Sequence, residues 1–181
     1  MNFIETKLAG CFILEPNIFN DERGYFLESF NNERFNKGIK KTINFVQDNQ
    51  SFSVKGVVRA LHYQIGTHAQ AKLVRVLSGV VLDVAVDLRK ESSTFGEHVV
   101  VELSDKNKKQ LFIPRGFAHG FITLSQTAEF FYKCDNYYNK DAEAGIIYND
   151  EELNINWKIP KDEIILSSKD LELPSFKNAK Y

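Results

Sequence analysis

Three side chains carry most of the chemistry that this sequence suggests. The stretch GVVRALHYQIGTHAQAKLVRVLSG, Gly56 to Gly79, holds His62, Gln64 and Lys72 among short apolar runs, and FIPRGFAHGF downstream adds His119. Two histidines near what reads as a β-hairpin resemble the start of a metal site. Metal ligands are deprotonated lone-pair donors such as imidazole or carboxylate. Lysine occupies the place where a carboxylate would be sought. A protonated lysine has three donors and no acceptor, and its charge repels a divalent cation. Glutamine is a weak ligand, and two histidines alone hold a transition metal poorly. The same set suits proton transfer. Removing a proton from carbon beside a ketone leaves negative charge on the carbonyl oxygen, which a preplaced cation stabilises. Imidazole titrates near neutral pH and can take that proton. His62 then reads as the base and Lys72 as the electrophile. Any one of these residues alone is more simply a core or surface residue; His62, Lys72 and His119 together point to function.

The elements that must position them are β strands. VVLDVAVDL (Val80 to Leu88) alternates, with Leu82, Val84, Val86 and Leu88 on one face and Asp83 and Asp87 on the other, which predicts one polar side. HVVVEL, QLFIP, GFITLS and AEFFYKC follow at short spacing, each bounded by turn-forming residues. Earlier, GCFILEP and GYFLESF read as two strands around the turn NDERG, and NNERFNKGI as a short helix. From about residue 139 the pattern loosens into an irregular C-terminal tail. The expectation is an all-β chain, residues 1–181 forming a single jelly-roll domain with short peripheral helices.

Composition narrows the function classes. The 181 residues are 43% hydrophobic and carry a formal net charge of −1, which points to neither nucleic acid nor an anionic membrane. Cys11 and Cys134 are far apart and lack CxxC spacing, which suits a reducing cytoplasm. No apolar run approaches the ~20 residues of a membrane-spanning helix, and the start shows no signal-peptide pattern.

Gly56-x5-His62-x-Gln64, Lys72-x6-Gly79 and Pro114-x-Gly116-x-x-His119 resemble the two-part motif of the cupins, whose fold is a double-stranded β-helix. With Gln64 and Lys72 in ligand slots, the metal is not expected. VVRALHYQ, HAQAKLVRVLSGVVLDVAVDLRK and FIPRGFAHGFITLSQTAEFFYKC, with QDNQS before them and ILSSKD after, resemble the dTDP-4-dehydrorhamnose 3,5-epimerase family from about Gly10 to Asp170. The resemblance implies an isomerase without cofactor or metal. It would invert C3 and C5, the carbons flanking the C4 ketone of a dTDP-linked 4-keto-6-deoxyhexose, and form dTDP-4-dehydro-L-rhamnose for dTDP-L-rhamnose biosynthesis.

Residue by residue, the resemblance implies that His62 is the base, Asp170 its paired carboxylate, Tyr132 the acid on the opposite sugar face, and Lys72 the residue facing the C4 oxygen. Inversion needs such a two-sided arrangement, and a phenol with a reference pKa of ~10 stays protonated at neutral pH. It also implies substrate contacts from Arg23, Glu28, Gln47, Asp48, Asn49, Arg59, His119, Tyr138, Glu143 and Lys169. Arg59 would meet the diphosphate or sugar, and Tyr138 would stack on thymine, with Tyr137 as the alternative of the pair. A homodimer is implied, with Arg23 and Glu28 reaching the neighbour's site. The chain departs from the family pattern at Ile65-Gly66-Thr67, where prolines are usual, and at Ala60 and Ala71, where glycine is frequent; these bear on loop rigidity. Three other readings compete: an epimerase acting at only C3 or C5 of a related 4-keto sugar nucleotide, a non-catalytic sugar-nucleotide-binding cupin, and a metal-dependent cupin oxygenase or isomerase. The second would lack an acid or a base, and this chain has His62, Tyr132 and Asp170.

Overall fold

The computed structural model describes all 181 residues, Met1 to Tyr181. In chain order the strands are β1 (Asn2–Glu5), β2 (Phe12–Glu15), β3 (Ile18–Asp21), β4 (Gly24–Leu27), β5 (Gln47–Val54), β6 (Val58–Gln64), β7 (Lys72–Ser78), β8 (Val80–Asp87), β9 (His98–Ser104), β10 (Gln110–Ile113), β11 (Phe117–Thr123), β12 (Thr127–Cys134) and β13 (Glu143–Gly145). Two helices, α1 (Asn32–Ile39) and α2 (Ser168–Leu171), are peripheral. The larger sheet has the order β1-β2-β10-β7-β12-β5, the smaller β13-β6-β11-β8-β9, and β3 and β4 form a separate ribbon. All these strand pairs are antiparallel. The architecture is the all-β cupin-type jelly roll.

Three apolar clusters explain the layering. Val74, Val76, Leu111, Ala128 and Phe130 of the larger sheet meet Val81, Ala85, Phe117 and Phe121 of the smaller one between the sheets. Behind the smaller sheet, Leu82, Val84, Val86 and Leu88 pack on Ile146, Leu153, Trp157 and Phe176 of the tail. Outside the larger sheet, Phe35 and Ile39 of α1 cover Leu14, Leu73 and Phe112. The helix starts where the Asn31 side chain caps the backbone N–H of Arg34 and ends where Lys40 adopts a left-handed conformation.

One expectation needs correction. Gly56 to Gly79 is not a hairpin: β6 pairs with β11 and β13, whereas β7 pairs with β10 and β12. The stretch crosses from one sheet to the other, so its side chains meet across the interior. The polar side expected of β8 is present, and it faces the interior. The tail buries the leucine–valine face, and Asp83 and Asp87 point inward, both fully buried. The tail is irregular, as expected, yet it is tied down by Asp150, whose carboxylate accepts from the backbone N–H groups of Glu152, Leu153 and Phe176.

The strands β6 and β11 run unusually close. A Cβ on Gly120 would lie 2.4 Å from Ala60 Cβ and 2.8 Å from Ala60 Cα. The small residues at both positions therefore set the spacing of the strands that carry His62 and His119. Gly120→Ala is predicted to destabilise the fold by about 1–3 kcal/mol through overpacking. The readout is a lower urea midpoint at unchanged m-value. An unchanged midpoint would show that the strands can separate without cost.

Candidate active site

A cavity of about 650 Å³ opens between the sheets and the tail. Its walls include β5, β6, β7, β11 and β12, and residues Ile165 to Asp170 close one side. The tail reaches this place by adding to the edge of the smaller sheet: Val58 N–H donates to Ile165 O, and Ile165 N–H to Gly56 O, both at 2.9 Å. Ser167 then caps α2 through the backbone N–H of Asp170.

His62 and Asp170, 108 residues apart in sequence, meet at 2.7 Å between Nε2 and Oδ1. The carboxylate is buried and the imidazole about one-third exposed. With Nε2–H donated to Asp170, the Nδ1 lone pair is left to face another proton. The pair therefore has the geometry of an oriented base.

On the facing sheet, Lys72 begins β7 and lies beside Cys134 of β12. Its Nζ is 5.9 Å from the centre of the Tyr132 ring. Burial pushes the lysine below its ordinary range, while the nearby Cys134, Asp83 and Glu143 act in the opposite direction. Burial, reinforced by Cys134, pushes the Tyr132 phenol up; Arg59 opposes it. Both effects follow from placing a charge where water is scarce.

His119 is held by a residue that the motif comparison missed. Its Nε2 lies 3.1 and 2.9 Å from the two oxygens of Asp83, and both groups are buried. The ring stacks on Phe130 at 5.9 Å, and Phe130 in turn on Phe121 at 4.2 Å. Burial pushes Asp83 up and His119 down, which disfavours ionisation of both partners; the positive charge of Lys72 helps keep Asp83 a carboxylate and His119 neutral. The available signal was the inward-facing Asp83 in an otherwise apolar strand.

At the cavity mouth, Tyr138 Oη donates to Glu143 Oε2 at 2.8 Å and Lys169 Nζ lies 2.6 Å from the same oxygen. Burial pushes Glu143 up, but the Lys169 and Tyr138 contacts outweigh it and hold the carboxyl below its ordinary range. Gln47 accepts from the backbone N–H of Tyr138 at 3.1 Å and donates to Asn49 Oδ1 at 3.2 Å. Arg59 donates from Nε to Ser53 Oγ at 3.2 Å and from Nη2 to Phe52 O at 3.3 Å. Tyr138 lines the cavity, and its neighbour Tyr137 does not.

The structure thus gathers His62, Lys72, Tyr132, Asp170, His119, Gln47, Asn49, Arg59, Tyr138, Glu143 and Lys169 around one cavity. Three residues of the expected set lie elsewhere. Asp48 faces outward, because strand side chains alternate, and pairs with Lys133 at 2.9 Å. Arg23 pairs with Asp21 on the β3–β4 ribbon, and Glu28 with Arg34 at 3.0 Å.

A profile of the family described as dTDP-4-dehydrorhamnose 3,5-epimerase matches residues 5–178. The chain belongs to this family. The dTDP-4-dehydrorhamnose 3,5-epimerase of Shigella flexneri is 51% identical over 181 residues, covering 100% of this chain and 99% of that protein. The crystal structure of the Elizabethkingia anophelis enzyme of the same name superposes with a TM-score of 0.97 at 54% identity, covering 100% of this chain and 99% of that one. A Legionella pneumophila epimerase, solved in complex with dTDP-4-keto-L-rhamnose, gives a TM-score of 0.94 at 48% identity over 98% of this chain and 93% of that one.

Within this member of the epimerase family, Asp83 is the buried hydrogen-bond partner of His119 and lies in the field of Lys72. Asp83→Ala is predicted to cost about 1–3 kcal/mol, because buried His119 loses its hydrogen-bond partner. Asp83→Asn retains an acceptor and costs less. Equilibrium urea unfolding measures both; an alanine variant as stable as the parent would remove Asp83 from this role.

Proposed function

We propose that this chain epimerises C3 and C5 of dTDP-4-dehydro-6-deoxy-D-glucose, giving dTDP-4-dehydro-L-rhamnose in dTDP-L-rhamnose biosynthesis. The observation that carries the mechanism is the placement of its acid and base. His62 stands on β6 of the smaller sheet and Tyr132 on β12 of the larger one, with both lining the same cavity. A sugar ring between them meets a base on one face and an acid on the other.

His62 takes the proton from carbon next to the ketone, and Asp170 stabilises the imidazolium. The electron pair moves onto the C4 oxygen, where the Lys72 ammonium meets the developing charge. Tyr132 delivers a proton to the opposite face of the same carbon, which inverts it. The phenolate regains a proton and the imidazolium loses one, so the cycle balances at each carbon. No oxidation state changes overall, and the scheme requires no redox partner. Arg59 suits the diphosphate because a planar guanidinium offers paired donors to an anion. Gln47, Asn49 and Tyr138 would form the nucleotide end, and Glu143 and Lys169 would edge the sugar pocket.

The same proposal extends to assembly and setting. Residues 1–181 act as one catalytic domain. A two-stranded ribbon is marginal in water by itself, yet β3–β4 exposes Phe19, Tyr25 and Phe26. Its natural cover is a second copy, and a homodimer would give Arg23 and Glu28 a route to the neighbour's nucleotide. No helix is long and apolar enough to cross a membrane. Cys11 and Cys134 are free and buried, which supports the cytoplasm as the place of work.

Incubation with dTDP-4-keto-6-deoxyglucose in D₂O, followed by NMR, tests the reaction directly. Deuterium is expected at both C3 and C5, with a downstream reductase accepting the product. His62→Ala is expected to abolish both exchanges while keeping the fold. Label at one carbon only would establish the mono-epimerase alternative, and no exchange would favour the binding-protein alternative. The pH profile tests the electrophile. Lys72 must be protonated to act, and burial lowers its pKa from the ordinary 10.5; the Tyr132 shift is upward, so the phenol stays protonated longer. The alkaline limb of kcat/KM should therefore fall below pH 10.5 and move upward in Lys72→Arg, whose guanidinium keeps its proton. A limb that stays in place in that variant belongs to another group.

A further inference from the structure

Strand β5 turns four polar side chains inward, Gln47, Asn49, Ser51 and Ser53. Three have partners. Gln47 Nε2 donates to Asn49 Oδ1 at 3.2 Å, Asn49 Nδ2 approaches Cys134 Sγ at 3.8 Å, and Ser53 Oγ accepts from Arg59 Nε at 3.2 Å. Ser51 is the exception: its Oγ is buried and has no hydrogen-bond partner in the protein. A buried hydroxyl in that condition destabilises the fold, and alanine in its place would not. Thr123 has the only other unpartnered buried side-chain oxygen, and it does not line the cavity, whereas Ser51 does. The unsatisfied donor of Ser51 is thus available to whatever the cavity holds.

Its position indicates what that is. Ser51 lies opposite Phe130 in the strand register, two residues from the pair of Asn49 and Tyr132 and on the same face. Along the strand, two residues advance about 7 Å, so Ser51 sits that far from the serine that holds Arg59. A guanidinium has five N–H donors; Arg59 spends one on Ser53 and one on Phe52 O. The other donors, together with the Ser51 hydroxyl, suit a group that is acceptor-only and spans several ångströms. A diphosphate has that chemistry.

We infer that Ser51 is a binding residue for the diphosphate of the nucleotide, donating its Oγ–H to a phosphate oxygen while Arg59 holds the group electrostatically. This assignment rests on the dTDP-sugar reading. The hydroxyl contacts a part of the substrate that does not react, so its contribution is to binding rather than to the chemical step.

Ser51→Ala is the test, with dTDP and thymidine as probes in calorimetric titrations. The parent should bind dTDP. The variant should bind dTDP roughly tenfold more weakly, the scale of one hydrogen bond to a charged group. Thymidine binding should be unchanged, the melting temperature equal or higher, and KM raised with kcat near the parent value. Unchanged dTDP affinity, or equal losses for dTDP and thymidine, would overturn the assignment, as would a lowered melting temperature, which would mean the hydroxyl has an internal partner. Failure of the parent itself to bind dTDP would instead overturn the nucleotide reading on which the assignment rests.

Discussion

The arrangement of the cavity depends on a carboxylate with no access to water. Asp83 sits in the middle of β8, with apolar residues on both sides, and burial there disfavours its charge. A lone carboxylate in such a place would take up a proton or draw in water. Asp83 is instead bonded through both oxygens to His119 and lies in the field of Lys72. Asp83 and His119 come from the adjacent strands β8 and β11 of the smaller sheet, and Lys72 from β7 of the larger one, so the Asp83 pair fixes the polar centre of one sheet opposite the lysine of the other. Phe130 and Phe121 then stack in sequence against the His119 ring. The polar centre and the apolar core are thus one packing problem with one solution.

The remaining half of the site is brought by the tail. Trp157, Leu153 and Phe176 pack behind β8, on the face opposite Asp83. Asp150 ties the chain around Leu153 to the chain at Phe176. Between those anchors the segment pairs with β6 at Ile165 and then turns through the short, capped α2. Asp170 therefore arrives at His62 because an apolar surface needed covering. Hydrophobic burial, which is non-directional, supplies the energy, and the backbone hydrogen bonds at Ile165 supply the direction.

Which features were legible in the sequence follows from the same physics. Strands β8, β9, β10 and β12 have strong β-branched and aromatic patterns, and their existence could be read directly; the α1 helix could also be read from NNERFNKGI. Strand β5 could not, because its pattern is inverted. Its inward row is Gln47, Asn49, Ser51 and Ser53, and its outward row includes Phe52 and Val54, both exposed. A polar row faces inward only where the interior is a binding cavity, so hydrophobic periodicity fails at the site itself. Alternation in β8 shows a polar face, but it does not reveal that the tail covers the opposite face and the larger sheet covers the acidic one. His62, Lys72, His119, Tyr132 and Asp170 were found by motif, although neither their meeting across two sheets nor the support from Asp83 has a local signature. Asp48 lay within a matching QDN run, and period-two geometry turned it away from its two neighbours.

Lys72 joins these threads. A metal bound by histidines would occupy the very lone pairs that a base needs, so a fold that uses His62 for proton transfer gains from supplying positive charge by another group. An ammonium does so without coordination, but it must be stable while buried. Burial works against that charge, Cys134, Asp83 and Glu143 oppose the effect in part, and the Tyr132 ring lies 5.9 Å away. Full neutralisation would be counterproductive, since a lysine tightly paired with a carboxylate has little field left for an enolate. Here the carboxylate is hydrogen-bonded to His119, and Lys72 has no ion pair of its own among the salt bridges. Lys72 lines the cavity. The lysine that makes the sequence a poor metal site is, on the proposed mechanism, the group that would stabilise an enolate.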